Sequence, residues 1–289
     1  MIEGCFRHIR GIGPGTEATL REKGFNTWDD CLERSDDLPL GCERRDMFLE
    51  SISRSRGLLD NDDIGSLVAL FPVSEQWRLL SAYLRRATFI DCETTGLSRH
   101  SSHISVIAAY HAGEVRTFVY GENLDDFLEF ADEAELLVTF NGSSFDIPFI
   151  EKTFNIPSLG RPHIDLRWVA WHAGCRGGLK SIERKFDIRR PAEVDGIDGF
   201  EAVDLFYRWQ GGEENARSLL VKYCSADVVA TYLVAERLLK QAGCKIECTD
   251  NAVFDEKIYC SPDSREHGIM RDPCTCEDMA RIQLRRRGC

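Results

Sequence analysis

No stretch of the 289-residue chain approaches about 18 uninterrupted apolar residues, and the opening MIEGCFRHIRGIG carries no apolar run behind a basic cluster. The two absences predict a protein that neither spans a membrane nor is exported. Cysteine pairs at ligand spacing are missing too, since none of the twelve cysteines forms a CxxC. Without an export signal, Cys5, Cys31, Cys42, Cys92, Cys175 and Cys224, each alone in a periodic segment, read as free thiols of a reducing cytoplasm. A basic excess is lacking as well: 36 Lys and Arg stand against 48 Asp and Glu, a net charge of -12 that argues against wholesale attraction to phosphates. The deficit is uneven. Residues 1–86 hold 12 basic and 15 acidic side chains, residues 87–242 hold 16 and 24, and residues 243–289 hold 8 and 9. Acids concentrated in the middle could be ligands neutralised by cations, and an acidic total does not exclude a locally basic groove. With no internal repeat and no low-complexity linker, boundaries must come from changes in pattern.

Residues 1–86 read as a small all-helical module: TEATLREKG, RDMFLESISRSRGLL, DDIGSLVALF up to Pro72, and SEQWRLLSAYLRRA with an apolar face at Trp77, Leu80, Tyr83 and Leu84. From Ala87 the period changes. ATFID, HISVIAAYHAG and VRTFVYG are rich in β-branched and aromatic residues and separated by short turns, which predicts three consecutive strands. A helix over NLDDFLEFADEA, a fourth strand ELLVTF and a helix FDIPFIEKTF follow. The remainder to residue 242 reads mostly as helix, ending in the long SLLVKYCSADVVATYLVAERLLKQA. The class is therefore α/β, a mixed sheet flanked by helices over 87–242. Residues 243–289 lose periodicity and gain Cys, Pro and charge, as an irregular tail would.

In FIDCETTGL, strand alternation projects Asp91 and Glu93 together while Cys92 points away. Thr94, Thr95 and Gly96 end the strand, leaving two like charges at its C-terminal rim, where open sheets tend to place ligands. The fourth strand runs into NGSSFD, so Asn141 and Asp146 stand at another strand-to-helix junction, where a turn and a helix cap are the plain readings. YCSAD spaces Tyr223 and Asp227 by four, on one helical face.

The order Asp-x-Glu, Asn-x-x-x-Phe-Asp, Tyr-x-x-x-Asp strongly resembles the DEDD exonuclease superfamily, DnaQ-like, on the ribonuclease H-like fold, in its tyrosine subtype; intervals of 55 and 81 residues between Asp91, Asp146 and Asp227 fit. HIDLRWVAW, GLKSIERKFDIRRP and DGIDGFEAVDLFYRW look most like a YprB-type domain. The resemblance covers residues 87 to about 240. It implies a 3'-5' exonuclease acting on DNA or RNA at a 3' end, with Asp91, Glu93, Asp146 and Asp227 as metal ligands and Tyr223 orienting or helping to deprotonate the attacking water. Leu97, Asn141 and Phe145 would contact the terminal nucleotides, although Leu97 and Phe145 fit a packing role equally well. Independently of the resemblance, four carboxylates converging in one cleft need compensating cations, and hard oxygen donors select Mg²⁺ or Mn²⁺; two ions roughly 3.5 to 4 Å apart would clamp a phosphodiester. Asp165 suits either a supporting acid or the cap of LRWVAW, His163 and His172 suit packing or surface, and Lys180, Arg184 and Lys185 could line a strand path or form a solvated face.

Near the start, HIRGIGPGTEATLREKGF resembles a helix-hairpin-helix, with Gly11 and Gly13 letting a phosphate approach backbone amides, although a single such motif suits a packing role equally well. In the tail, Cys244, Cys248, Cys260, Cys274, Cys276 and Cys289 could recruit zinc or an iron-sulfur cluster, though their spacings match no strong pattern; the cluster at Arg281 and Arg285 to Arg287 could follow a phosphate backbone. Two rivals stay open: a binding module without turnover, and a structure-specific endonuclease, which the same acids would serve as well.

Overall fold

A computed structural model describes residues 2–251 and residue 254. The chain opens with a single 3-10 turn, Ile2–Gly4, followed by successive turns to Ile12. Helix α1 (Pro14–Glu22) starts at a proline, whose missing N–H costs nothing at a helix start. The stretch around Gly11 thus has an α-helix on its downstream side alone. α2 (Trp28–Glu33) is held by a capping box in which Thr27 and Asp30 satisfy each other's backbone N–H groups. α3 (Cys42–Asp60), α4 (Ile64–Leu70), capped by Asp63, and α5 (Gln76–Tyr83) complete the helical region. Glu75, almost fully buried, is satisfied by Arg7 at 2.7 Å and Arg78 at 2.8 Å, which ties the start of the chain to α5.

Next come β1 (Ala87–Thr94), β2 (Ile104–His111), β3 (Glu114–Val119), α6 (Phe127–Asp132), β4 (Leu136–Thr139), α7 (Asp146–Thr153), β5 (His163–Asp165), α8 (Leu166–His172), α9 (Leu179–Lys185), α10 (Gly199–Gln210) and α11 (Glu214–Gln241). The sheet order is β3-β2-β1-β4-β5, antiparallel among β1 to β3 and parallel across β1, β4 and β5. This is the mixed sheet flanked by helices that the pattern predicts, with one addition. β5 is three residues long, too short for alternation to register in the sequence, and its partner β4 buries it.

Two apolar clusters clothe the sheet. On one face Ile90, Cys92, Ile107 and Phe118 pack with Phe127 and Phe149 of α6 and α7. On the other, Ala87, Phe89, Val106 and Val138 pack against α11, and the cluster continues without a break into Trp28, Phe48 and Leu79 of the helical region. α11 is long and apolar enough to cross a membrane by composition, but 83% of its apolar window is buried inside the protein, as befits a core helix. The six singly placed cysteines are all unpaired. Of the tail, Cys244 is buried and Cys248 half-buried, while the remaining cysteines and the arginine cluster lie outside the described residues.

Candidate active site

β4 pairs with β1 only over Ala87 to Phe89, so the C-terminal half of β1 has no strand on that side. Parallel neighbours that part company leave a crevice at their carboxyl ends. Into it α7 sends its first residue: Asp146 accepts the Cys92 backbone N–H at 2.9 Å, satisfying a donor that β4 would otherwise take. On the α11 face of the same strand, Asp91 and Glu93 follow Ala87 and Phe89 in strict alternation, and both are half-buried. α11 supplies Tyr223 and Asp227 one turn apart. Carboxylate oxygens of Asp91, Glu93 and Asp227 lie within 4.8 Å of one another. Asp146 is not of that trio but is close enough to act on the charge of Asp91 and Glu93.

Like charges at this density are expensive without compensation. Burial, and then the neighbouring Asp227 and Asp146, push the carboxyls of Asp91 and Glu93 well above the usual range. Asp146 is raised to about 6 by burial, against the downward pull of its bond from Cys92. Tyr223 is raised by burial and by Asp227 and Glu93. Three hard oxygen donors converging in a crevice fit a divalent cation such as Mg²⁺ or Mn²⁺, which would relieve the repulsion.

One cation is built in. Arg190, its side chain 3% exposed, pairs with Asp227 and forms a two-pronged bond to the buried Glu183. Burial alone would disfavour its charge, but Asp227 and Glu183 outweigh that and the guanidinium is held firmly protonated. Lys222 reaches Glu193 at 2.7 Å and so fastens the segment after Arg190 to α11.

The crevice opens as a cleft of about 480 Å³ lined by Asp91, Phe140, Lys180, Arg184, Tyr223 and Asp227. Lys180 hangs its ammonium 4.9 Å from the Tyr223 ring and donates to the Ile197 carbonyl. Lys185 turns elsewhere, to the Cys175 sulfur at 2.9 Å. Leu97 is 78% exposed beyond β1. Asn141 stands at φ +72°, a conformation that asparagine tolerates, and next to it Gly142 is required because a Cβ would come 2.3 Å from Thr139 Oγ1. Phe145 packs on Phe149, ring centroids 4.9 Å apart, so of its two expected roles the structure displays the packing one. Asp165 turns out to do more than cap α8: besides the Arg167 N–H it accepts those of Asn141 at 2.8 Å and Ser143 at 3.1 Å, clamping the loop above β4. His163 is a half-buried partner of Thr139 at 2.8 Å and His172 is exposed. Gly11 and Gly13 line a different cavity, of about 580 Å³, with Arg7 and Arg10.

The family model described as RNase_H superfamily matches residues 88–239, just over half of the chain and all of the sheet but its first residue. The chain belongs to that superfamily. No curated protein matches it. Among solved structures, the family B DNA polymerase of the hyperthermophilic archaeon Pyrobaculum calidifontis aligns at 16% identity and TM-score 0.44, covering 58% of this chain, which spans about a quarter (26%) of the polymerase. A structure described as the apo form of the nuclease aligns at 20% identity and TM-score 0.39, covering 56% of this chain and 75% of that one. Brucella melitensis NrnC with bound Mg²⁺ aligns at 18% identity and TM-score 0.31, covering 58% and 92%. Within this RNase_H superfamily domain, sequence reasoning missed Arg190 and Glu183. The only signals were an Arg-Arg-Pro after a helix and a glutamate beside Ile182 on a buried face, neither of which points at Asp227 until the fold brings them together.

Proposed function

We propose that the protein is a metal-dependent 3'-5' exonuclease that hydrolyses phosphodiester bonds of DNA or RNA and releases nucleoside 5'-monophosphates. One observation carries the reading: Asp91 and Glu93 from β1 meet Asp227, from α11, with their oxygens within 4.8 Å, and Asp91 and Asp227 line a cleft together with Lys180 and Arg184. Mg²⁺ or Mn²⁺ held by these three, with Asp146 toward a second ion, would polarise the scissile phosphate and make bound water a better nucleophile. Tyr223, facing the cleft one turn from Asp227, would keep its hydroxyl proton and orient the attacking water. Lys180 and Arg184 would receive the phosphate backbone, and the exposed Leu97 would stand against the terminal base. The turn at Gly11 and Gly13, with Arg7 and Arg10 beside it, would hold nucleic acid remote from the cleft.

The test is cleavage of 5'-labelled single-stranded DNA and RNA by the full chain with Mg²⁺, with Mn²⁺ and with chelator, beside Asp91→Asn. That variant is preferable to one at Asp227, whose loss would strand the buried Arg190. A ladder shortening from the 3' end, dependent on metal and lost by at least about a hundredfold in the variant, is expected. Internal cuts would replace the exonuclease by an endonuclease. Absence of cleavage on every substrate would leave a binding module.

A further inference from the structure

Beside the cleft runs a surface that the acids do not use. α8 buries Leu166, Val169 and Ala170 and turns Trp168 and Trp171 outward, 43% and 46% exposed. Three positions apart, the two indoles share one helical face. Each has a guanidinium over its ring: Arg167 lies 5.7 Å from the centroid of Trp168, and Arg176 lies 4.4 Å from that of Trp171. Among the described residues Arg167, Arg176 and the nearby Arg184 make no ion pair, in a chain where carboxylates outnumber cations by twelve. Cations left unpaired amid surplus acid form a local positive strip, complementary to a polyanion.

The strip joins the cleft at both ends. Arg167 donates to the Asn141 side chain, next to Phe140 of the cleft wall. Past Arg176 the chain passes through Gly177 and Gly178 to Lys180, which lines the cleft beside Tyr223. Indole faces alternating with guanidinium groups suit splayed bases and their phosphates; in a duplex the bases stack on one another and offer no face.

We propose that the α8 strip is a binding track for single-stranded nucleic acid, its bases stacking on Trp168 and Trp171 and its phosphates meeting Arg167, Arg176 and Arg184 as the end enters the acid cleft. The proposal deepens the reading of the cleft as a nuclease site and rests on it. It is tested without turnover. In chelator, the full chain is titrated with fluorescein-labelled 15-mers of dT and of rU and with a blunt 15-base-pair duplex, reading anisotropy and tryptophan quenching. Single strands are expected to bind more tightly than the duplex, and Trp168→Ala or Trp171→Ala to weaken them about tenfold each, with far-ultraviolet melting unchanged. Arg176→Ala should lower the slope of log K against log salt by about 0.7. The DNA and RNA arms decide which strand is the ligand. Equal binding by wild type and the tryptophan variants overturns the track, as does a preference for duplex, or concentration-dependent self-association through these tryptophans without oligonucleotide binding. Tight binding that loses tenfold in the variants, combined with no metal-dependent cleavage, would instead remove the nuclease reading and leave the track standing.

Discussion

The two faces of β1 answer one backbone in opposite ways. Toward α7, Ile90 and Cys92 sit in an apolar cluster whose side chains contribute by leaving water. Toward α11 the same strand begins apolar, with Ala87 and Phe89 buried, and ends in Asp91 and Glu93. The apolar face needs only a matching volume opposite. The acidic rim needs named partners: a carboxylate on a freed backbone N–H, an arginine under Asp227, a clamp on the loop above β4. Both faces of the strand bury apolar surface, and on the α11 side alone the carboxyl end of β1 sets electrostatic repulsion against that gain.

The largest effect should come from breaking the charged side at the buried Arg190. Arg190→Ala leaves Glu183 and Asp227 as buried carboxylates without their partner, and truncating one member of such a set costs about 3–5 kcal/mol. Denaturant unfolding of the metal-free protein should show a loss of that size, and Arg190→Met should recover little, because the orphaned acids persist. If Arg190→Ala unfolds within about 1 kcal/mol of wild type, the rim does not depend on this cation.

On the apolar face, Ile90→Ala removes a fully buried side chain and leaves a cavity, at a cost of about 3 kcal/mol. In a domain of this size that lowers the melting temperature by about 6 to 12 °C. Cleavage per folded molecule should be unchanged at low temperature, because Asp91 and Glu93 project from the opposite side. A change in cleavage without a change in melting would mean that the two faces are not separable.

Much of this contrast could be read from the chain alone. Asp91 and Glu93 announce a shared face through i, i+2 spacing, Tyr223 and Asp227 through i, i+4, and the first three strands through their β-branched runs, because these are local regularities with a fixed period. Illegible were features created by tertiary approach. Arg190 finds Asp227 across 37 residues of sequence with no periodic relation. β5 is too short to alternate. Asp165 looks like a helix cap, which it is, yet its other bonds depend on β4 lying beside it. The outward tryptophans of α8 also hid in plain sight, since a helical stretch written LRWVAW does not disclose which face will be covered.

The pH response sharpens the comparison through Asp146, whose folded carboxyl titrates near 6 against 3.8 in the ordinary state. Below 3.8 both states hold the proton. As pH rises from there toward 6 the unfolded chain releases it and the folded chain keeps it, so stability is lost over that window, about 3 kcal/mol in all. Asp146→Asn removes this loss while its amide oxygen still accepts from Cys92. Buried His8 and the partly buried His103 and His163, whose pKa values are pushed down by burial, act in the opposite sense below about 6.5, but they are common to both proteins and cancel. Removing the Asp146 charge also eases the ionisation of Asp91 and Glu93, so the metal-free variant should gain on wild type by at least about 3 kcal/mol between pH 4 and 7, and added Mg²⁺ should shrink the gap. A constant difference across that range would show that Asp146 carries no raised pKa.

Asp165 should give the smallest effect, and the one that separates support from burial most finely. Its carboxylate holds three backbone N–H groups and the Ser143 hydroxyl, of which the Arg167 bond caps α8 and the other three shape the loop carrying Asn141. Asp165→Ala removes the cap and leaves those donors to water, at about 2 kcal/mol, whereas Asp165→Asn retains an accepting oxygen and should lose about half as much. Because Asn141 meets Arg167 at the mouth of the cleft, the alanine variant should also weaken capture of substrate, raising KM by about tenfold with kcat little changed. Steady-state cleavage read beside thermal melting decides between the two roles. A stability loss with KM unmoved would make Asp165 a helix cap alone, whereas a shift in both that asparagine rescues in part would show that the clamp sets the shape of the rim.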